Sequence, residues 1–395
     1  MTSWPYYSED EIEAAVAVLR SGKVNYWTGQ ECRDFESEFA ESCNTQYAVA
    51  VANGTVALEL ALRAFDIGPG DEVIVTPRTF IASASSVVSC GARPVFADVD
   101  PDSQNITAGT IQKVLTSRTR AIIAVHLAGW PCDMDAINTL AKDSGLKVIE
   151  DCAQAHGAIY KGMPVGSLGD VAAFSFCQDK IISTGGEGGM LVTNDSEIWN
   201  KAWSFKDHGK SYDAVYNREH PPGYRWIHHS FGTNWRMTEI QAAIGRRQLR
   251  KLSAWNKQRN INAACLAQGF RNIPALRVID PPDNIVHAYY KYDVFLRQQE
   301  LDGEWDRDRI LAMINARGVA CFSGPCPEVY LEKAFDVDGL RPARRLPVAR
   351  ELGETCLTFL VHPTLGEQEM GSVCAVVDDV LCQAARKSPS VTASS

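Results

Sequence analysis

With 395 residues the chain is long for one core and points to about two domains, and its 45% hydrophobic and 22% charged content is that of an ordinary globular protein. A formal net charge of -9 argues against the basic stripe a nucleic-acid binder needs, so an anionic ligand has to be held by a local site. No apolar run approaches a membrane span, and charged residues instead of a signal-like apolar segment follow Met1 to Tyr7, which predicts a soluble, cytoplasmic protein.

Ser8-Glu9-Asp10-Glu11 reads as a capping box, with Ile12, Val16 and Leu19 on one stripe behind it and Gly22 as the stop, so the chain opens on a helix ending near Arg20. Val24-Asn25-Tyr26-Trp27-Thr28-Gly29 is an aromatic loop, a pocket lining or a packed surface turn, and Tyr26, Trp27 and Thr28 are candidate substrate contacts. A helix carrying Phe35 and Phe39 follows. Short apolar runs at 47–51, 72–75, 94–98, 121–126, 147–151, 171–176 and 190–193 then alternate with helical patterns. This alternation implies an α/β fold, a mostly parallel central sheet flanked by helices. Ligands of such sheets bind outside the carboxyl ends of the strands. Asn53-Gly54-Thr55, Thr79-Phe80, Asp151 and Ser175 all stand at such ends.

Composition shifts near residue 250, where a helix over 238–249 gives way to a strand at 289–296, a helix at 305–317 and a terminal helix at 366–385. This reads as a large domain over 1–250 and a smaller C-terminal α+β domain over 251–386. The polar tail 387–395 is expected to be disordered. The twelve cysteines are scattered, mostly in apolar contexts such as Val88-Ser89-Cys90-Gly91, and read as reduced thiols. Cys321 and Cys326 form the only near pair and lack a second pair or a histidine partner, so no metal is expected.

The stretch around which the rest is organised is Ser175-Phe176-Cys177-Gln178-Asp179-Lys180, running into Gly185-Gly186-Glu187-Gly188-Gly189. A lysine amine becomes a nucleophile or Schiff-base former only where burial or neighbouring cations free it from its proton, and Lys180 follows a buried-strand run, Val171 to Phe176. Glycines behind it let backbone pass close to a ligand. A lone lysine in a polar loop would simply be solvated. Together with Glu150-Asp151-Cys152-Ala153-Gln154-Ala155-His156-Gly157 upstream, however, the stretch resembles the DegT-type sugar aminotransferases, over a match running from Gly29 to about Pro363. These are pyridoxal-phosphate (PLP) enzymes of the aspartate-aminotransferase-like fold that aminate nucleotide-linked keto sugars.

Such an enzyme must hold a phosphate, cover the pyridine ring, keep its nitrogen protonated and carry a reactive lysine. Gly54 and Thr55 offer backbone N–H groups at a helix start, where the dipole favours an anion, and the Ser175 hydroxyl can add a bond. Phe80 is a stacking face or a core ring. Asp151 can bond the pyridinium, although an aspartate at a strand end is commonly a turn or capping residue, and Gln154 can reach the ring's 3-hydroxyl. The resemblance assigns these roles to the same positions and makes Lys180 the cofactor-bearing lysine. It also implies that Asn234, in Phe231-Gly232-Thr233-Asn234-Trp235-Arg236-Met237, crosses a homodimer interface to the phosphate of the neighbouring copy. His208, in Phe205-Lys206-Asp207-His208-Gly209, lies near the mouth of the site.

The implied function is transfer of an amino group from an amino acid, glutamate by resemblance, to a nucleoside-diphosphate keto sugar, with the cofactor cycling between PLP and pyridoxamine phosphate (PMP). Such reactions serve O-antigen and other surface polysaccharides or glycosylated metabolites. The loop from Lys180 to Gly189 looks like those of relatives that aminate C4 of a 4-keto-6-deoxy sugar, while Cys177-Gln178-Asp179 departs from the small residues seen there and leaves a C3 aminotransferase as the alternative. Two rivals remain. One is a PLP-type sugar dehydratase, which would carry histidine at the Lys180 position, and the other is a non-catalytic regulatory or sensor protein on the same fold.

Overall fold

The structure, a computed structural model, describes residues 4–337 and 339–386; the tail expected to be disordered lies outside them. In chain order the strands of the first half are β1 (Tyr47–Val51), β2 (Glu72–Val75), β3 (Arg93–Phe96), β4 (Thr119–Val125), β5 (Lys147–Asp151), the short β6 (Ile159–Tyr160) and β7 (Met163–Pro164), β8 (Val171–Ser175) and β9 (Gly189–Thr193). The second half adds β10 (Leu276–Arg277), β11 (Ile285–Val286), β12 (Tyr292–Leu296), β13 (Cys321–Phe322) and β14 (Cys356–Phe359).

Seven strands form the central sheet in the order β1-β9-β8-β5-β4-β2-β3, parallel throughout except for β9, which runs against both its neighbours. The expected mostly parallel sheet is therefore present, with all seven strand positions within a few residues of those read from the apolar runs. Strand side chains alternate between faces. Val49, Val51, Ile149 and Leu191 pack on one face beneath the helices Gly54–Ala64, Ala82–Ser89 and Ser196–Lys206. Ala48, Ala50, Ala172 and Met190 pack on the other, against the helix Glu31–Ser42. Near-complete burial of both faces is why these strands read as continuous apolar runs and not as alternating ones. The opening helix, Glu9–Ser21, starts where the capping box predicts, with the Glu11 carboxylate accepting from the Ser8 backbone N–H at 2.9 Å.

A second, antiparallel sheet, β10-β12-β14-β13, forms the smaller α+β unit with the helices Arg307–Ala316 and Glu367–Ala384. One expectation is corrected. The helix thought to stop at 249 continues unbroken as Glu239–Phe270, through the boundary placed at 250. Its apolar stripe changes partners partway along: Leu249, Leu252 and Trp255 pack against the large-domain core, whereas Ala263, Leu266 and Phe270 belong to the small-domain core. In the sequence such a change of face looks like an end.

Beneath the sheet's carboxyl edge His156 lies between the rings of Phe174 and Phe176, at centroid distances of 5.4 and 5.7 Å. Burial, reinforced by the charge of Lys180, pushes its pKa from 6.5 to about 3. Over that interval the unfolded chain takes up a proton that the folded chain refuses, so this group's contribution to stability is present above pH 6.5 and lost as the pH falls. His156→Phe should therefore show a shallower fall of melting temperature between neutral pH and about pH 4.5 than the parent protein. Parallel curves for the two proteins would refute the assignment.

Candidate active site

The helix Gly54–Ala64 begins directly on the edge of the sheet. Asn53 caps it, its Oδ1 accepting from Val56 N–H at 3.0 Å while its carbonyl accepts from Ala57 N–H at 3.2 Å. The N–H groups of Gly54 and Thr55 are left among the unpaired donors of a first turn. A Cβ on Gly54 would come within 2.5 Å of Ser175 Cβ, so only glycine lets this helix start sit against the end of β8. The bare N–H groups, the helix dipole and the Ser175 hydroxyl make a cradle that fits a phosphate.

Asp151 ends β5 and is 5% exposed. Its Oδ2 accepts from Ser83 Oγ–H at 2.7 Å and its Oδ1 from Ala153 N–H at 3.1 Å. Two fixed bonds leave a carboxylate with lone pairs to spare, aimed where a protonated ring nitrogen can donate. Gln154 Oε1 accepts from Ala128 N–H at 2.8 Å, which leaves its amide N–H groups free to donate.

These residues and Lys180 line one cavity of about 1060 Å³ between the large domain and the small sheet. Phe80 also lines it, and with 66% of its surface exposed it is an uncovered ring and not part of the core. The donor set therefore fits PLP: a cradle for the phosphate, a carboxylate for the nitrogen, a donor for the hydroxyl, a ring to stack and an amine. The Lys180 ammonium lies over the ring of Tyr290, 4.8 Å from its centroid. The Tyr290 hydroxyl donates to Asp179 in a short bond. Burial raises the Asp179 carboxyl, but the charge of Lys180 and the Tyr290 bond outweigh it and hold that group below its ordinary value.

The other expected residues do not line the cavity. Tyr26 is a core residue, 2% exposed, its hydroxyl donating to Glu36 at 3.1 Å and accepting from the Trp203 indole N–H at 3.2 Å. An aromatic beside glycine marks packing as readily as a pocket, and here packing prevails. Trp27 stacks on Tyr216, and the Thr28 hydroxyl bonds the Asn25 carbonyl. His208 and Asn234 lie together outside the cavity, where the strand-like segments around Asp207 and Asn234 pair. Conversely, Ser83, Tyr290 and Lys291 belong to the cavity wall and were not singled out from the sequence. Ser83 had a signal, standing four residues after Thr79 and so one helical turn from a candidate strand end. Tyr290 and Lys291 had none, since Tyr-Tyr-Lys-Tyr reads as strand.

The sequence profile of the DegT/DnrJ/EryC1/StrS aminotransferase family matches residues 5–378. The X-ray structure of the aminotransferase from Psychrobacter cryohalolentis superposes with a TM-score of 0.96 at 56% identity, covering 97% of this chain and 99% of that one. Among curated proteins, the dTDP-3-amino-3,6-dideoxy-alpha-D-galactopyranose transaminase of Aneurinibacillus thermoaerophilus is 40% identical over 374 residues, 94% of this chain and 95% of its own. The UDP-N-acetyl-3-dehydro-alpha-D-glucosamine 3-aminotransferase of Acidithiobacillus ferrooxidans is 37% identical over 370 residues, 93% of each chain. A likeness that runs nearly end to end, through the strand ends where the cradle, the carboxylate and the lysine meet, has one meaning: the chain belongs to the DegT/DnrJ/EryC1/StrS aminotransferase family.

Proposed function

We propose that the chain is a PLP-dependent aminotransferase that moves the amino group of glutamate to a keto sugar carried on a nucleoside diphosphate. The observation that carries this reading is the meeting, in one cleft, of Lys180 with the Gly54, Thr55 and Ser175 cradle and the carboxylate of Asp151. By the resemblance of the loop from Lys180 to Gly189, the reading extends to C4 of a 4-keto-6-deoxy sugar. The 3-amino and 3-dehydro sugars named for the two curated relatives favour a second reading, C3. Incubation with glutamate and each keto sugar nucleotide, with the amine carbon assigned by NMR, separates the two.

When bound, PLP supplies an electron sink for the α-carbon of the amino donor. The chain does the rest. Gly54, Thr55 and Ser175 hold the phosphate, Phe80 covers one ring face, and Gln154 donates to the ring hydroxyl. Asp151 keeps the ring nitrogen protonated, and Ser83 with the Ala153 N–H keeps Asp151 in place. The amine of Lys180 takes the proton from the donor's α-carbon and, in the second half-reaction, delivers a proton to the sugar carbon that gains nitrogen.

We further propose a homodimer in which Asn234 completes the phosphate cradle of the second copy. The reading is supported by exposed aromatic residues upstream of Asn234: Phe231, three residues before it, is 98% exposed, and Tyr224 and Trp226 pack edge to face on each other while 73% and 84% exposed, a contiguous apolar surface of the kind that marks an interaction site. Among the described residues no helix is long and apolar enough to cross a membrane.

Three outcomes are expected. Lys180→Ala should retain PLP or PMP, seen in its absorbance spectrum, and fail to turn over; full activity would sink the assignment. Asp151→Asn should slow the glutamate half-reaction by at least ~100-fold, since a neutral amide cannot hold the ring nitrogen protonated. An unchanged single-turnover rate would show the residue to be structural only. Finally, inactive Lys180→Ala and Asn234→Ala chains, refolded together, should regain activity, because a mixed dimer carries one site with both lesions and one with neither. No recovery, with a mixed dimer demonstrated, would rule out a shared site.

A further inference from the structure

Three cations line the cleft: Lys180, Lys291 and Arg307. Arg307 is committed, its Nε paired with Asp308 at 2.6 Å and its Nη1 donating to the carbonyls of Ser323 and Gly353 at 3.2 and 3.0 Å. The carboxylates nearby are committed too. Asp151 is held by Ser83 and the Ala153 N–H, Asp293 accepts from Thr358 and from Gln104, and Asp179 is bound by Tyr290.

Lys291 is different. It is half-buried one residue before β12, with its ammonium clamped between the rings of Tyr290 and Phe322, 5.0 and 5.8 Å from their centroids. Among the described residues it has neither ion pair nor hydrogen bond. Burial lowers its pKa against the pull of Asp179 and Asp293 and with that of Lys180. The two ring faces repay part of the hydration that a compact ammonium loses when taken partly out of water, and an arriving anion repays the rest.

The position of Lys291 narrows what that anion is. Lys180 stands over the same Tyr290 ring, so both ammoniums are within reach of one small substrate and the anion lies close to the reacting carbon. The phosphate cradle is elsewhere, on the large domain at the start of the helix Gly54–Ala64. A diphosphate spreads its charge over several oxygens and calls for several donors, which this wall lacks with Arg307 committed, whereas one ammonium matches the single charge of a carboxylate. We propose that Lys291 is the carboxylate anchor of the cleft, holding the acid group of a bound substrate beside Lys180 and so setting which carbon Lys180 can reach. The proposal rests on the aminotransferase reading above. The same chemistry has two sources, the α-carboxylate of the amino donor and a carboxylate on the sugar, as in a uronic acid.

Lys291→Met and Lys291→Gln, with Lys291→Arg as the charge-keeping control, distinguish these sources. PLP retention and melting temperature show that each variant is folded and loaded. Binding of glutarate to the PLP form, and of UDP-glucuronate against UDP-glucose to the PMP form, is measured by calorimetry, alongside KM and kcat for glutamate. Loss of one charged hydrogen bond should weaken the carboxylate ligand by about 10- to 100-fold, with Lys291→Arg restoring most of it and kcat falling far less than KM rises. A loss confined to glutarate and glutamate assigns the donor's carboxylate; a loss confined to UDP-glucuronate, with UDP-glucose unaffected, assigns the sugar's. Unchanged affinity for all of these ligands overturns the proposal. If the parent protein itself shows no glutamate-driven change of its PLP spectrum, it is the aminotransferase reading that fails, while the glutarate and UDP-glucuronate affinities still judge Lys291.

Discussion

The architecture depends on a contact in which two glycines make room for a helix. Gly189 faces Val51 on one side and Ser175 on the other, because β9 is inserted antiparallel between β1 and β8. A Cβ there would lie 2.3 Å from the Asn53 carbonyl oxygen, just as one on Gly54 would strike Ser175. The helix start thus rests on the sheet edge with nothing between, and its free N–H groups are fixed relative to the strands that carry Ser175 and lead to Lys180. The bare helix start and the chain topology are set by the same close approach.

A second pairing explains how the acid end of the site is kept stiff. Glu150 and Asp151 are neighbours on β5, so their side chains leave opposite faces of the sheet. Glu150, fully buried, accepts from the N–H groups of Gly166, Leu168 and Gly169 at 3.0, 2.8 and 2.7 Å and from His126 Nε2 at 2.9 Å. Cys132 N–H donates to His126 Nδ1 at 3.0 Å, which places the ring proton on Nε2. Three backbone donors and a neutral imidazole supply what a buried carboxylate needs. This anchoring fixes the strand end from below, while Asp151 on the other face keeps lone pairs for a ligand. Two adjacent residues of the same charge thus do different work because one is fully satisfied and the other is not.

Much of this was legible in the chain itself. Strands buried on both faces announce themselves as apolar runs, and glycines, an aspartate and a lysine at strand ends bear on chemistry whatever the loops between them do. What escaped reading depends on contacts distant in sequence. Tyr290 meets Asp179 across more than a hundred residues, and no local pattern predicts it. Whether Tyr26 lines a pocket or packs stayed open in the sequence because its burial is decided by Trp203 and Glu36, on other elements. Helix Glu239–Phe270 was cut short because periodicity is read against one partner surface and this helix has two. Lys291 sits in an apparent strand segment, where side-chain direction depends on a register that sequence leaves open.

That long helix has a mechanical meaning. Its 32 residues make a rod of about 48 Å, anchored at one end in the core of the large domain and at the other in the core of the small one. A rod without a joint transmits rotation. The small sheet, whose strand β12 follows directly on Lys291 of the cleft wall, is joined to the large domain by unbroken helical backbone at residue 250. The start of that helix, Glu239, follows directly on the segment that carries Asn234 and accepts the backbone N–H of Glu31 at 2.6 Å. One continuous helix thus joins the neighbourhood of the Asn234 segment to the core of the small domain.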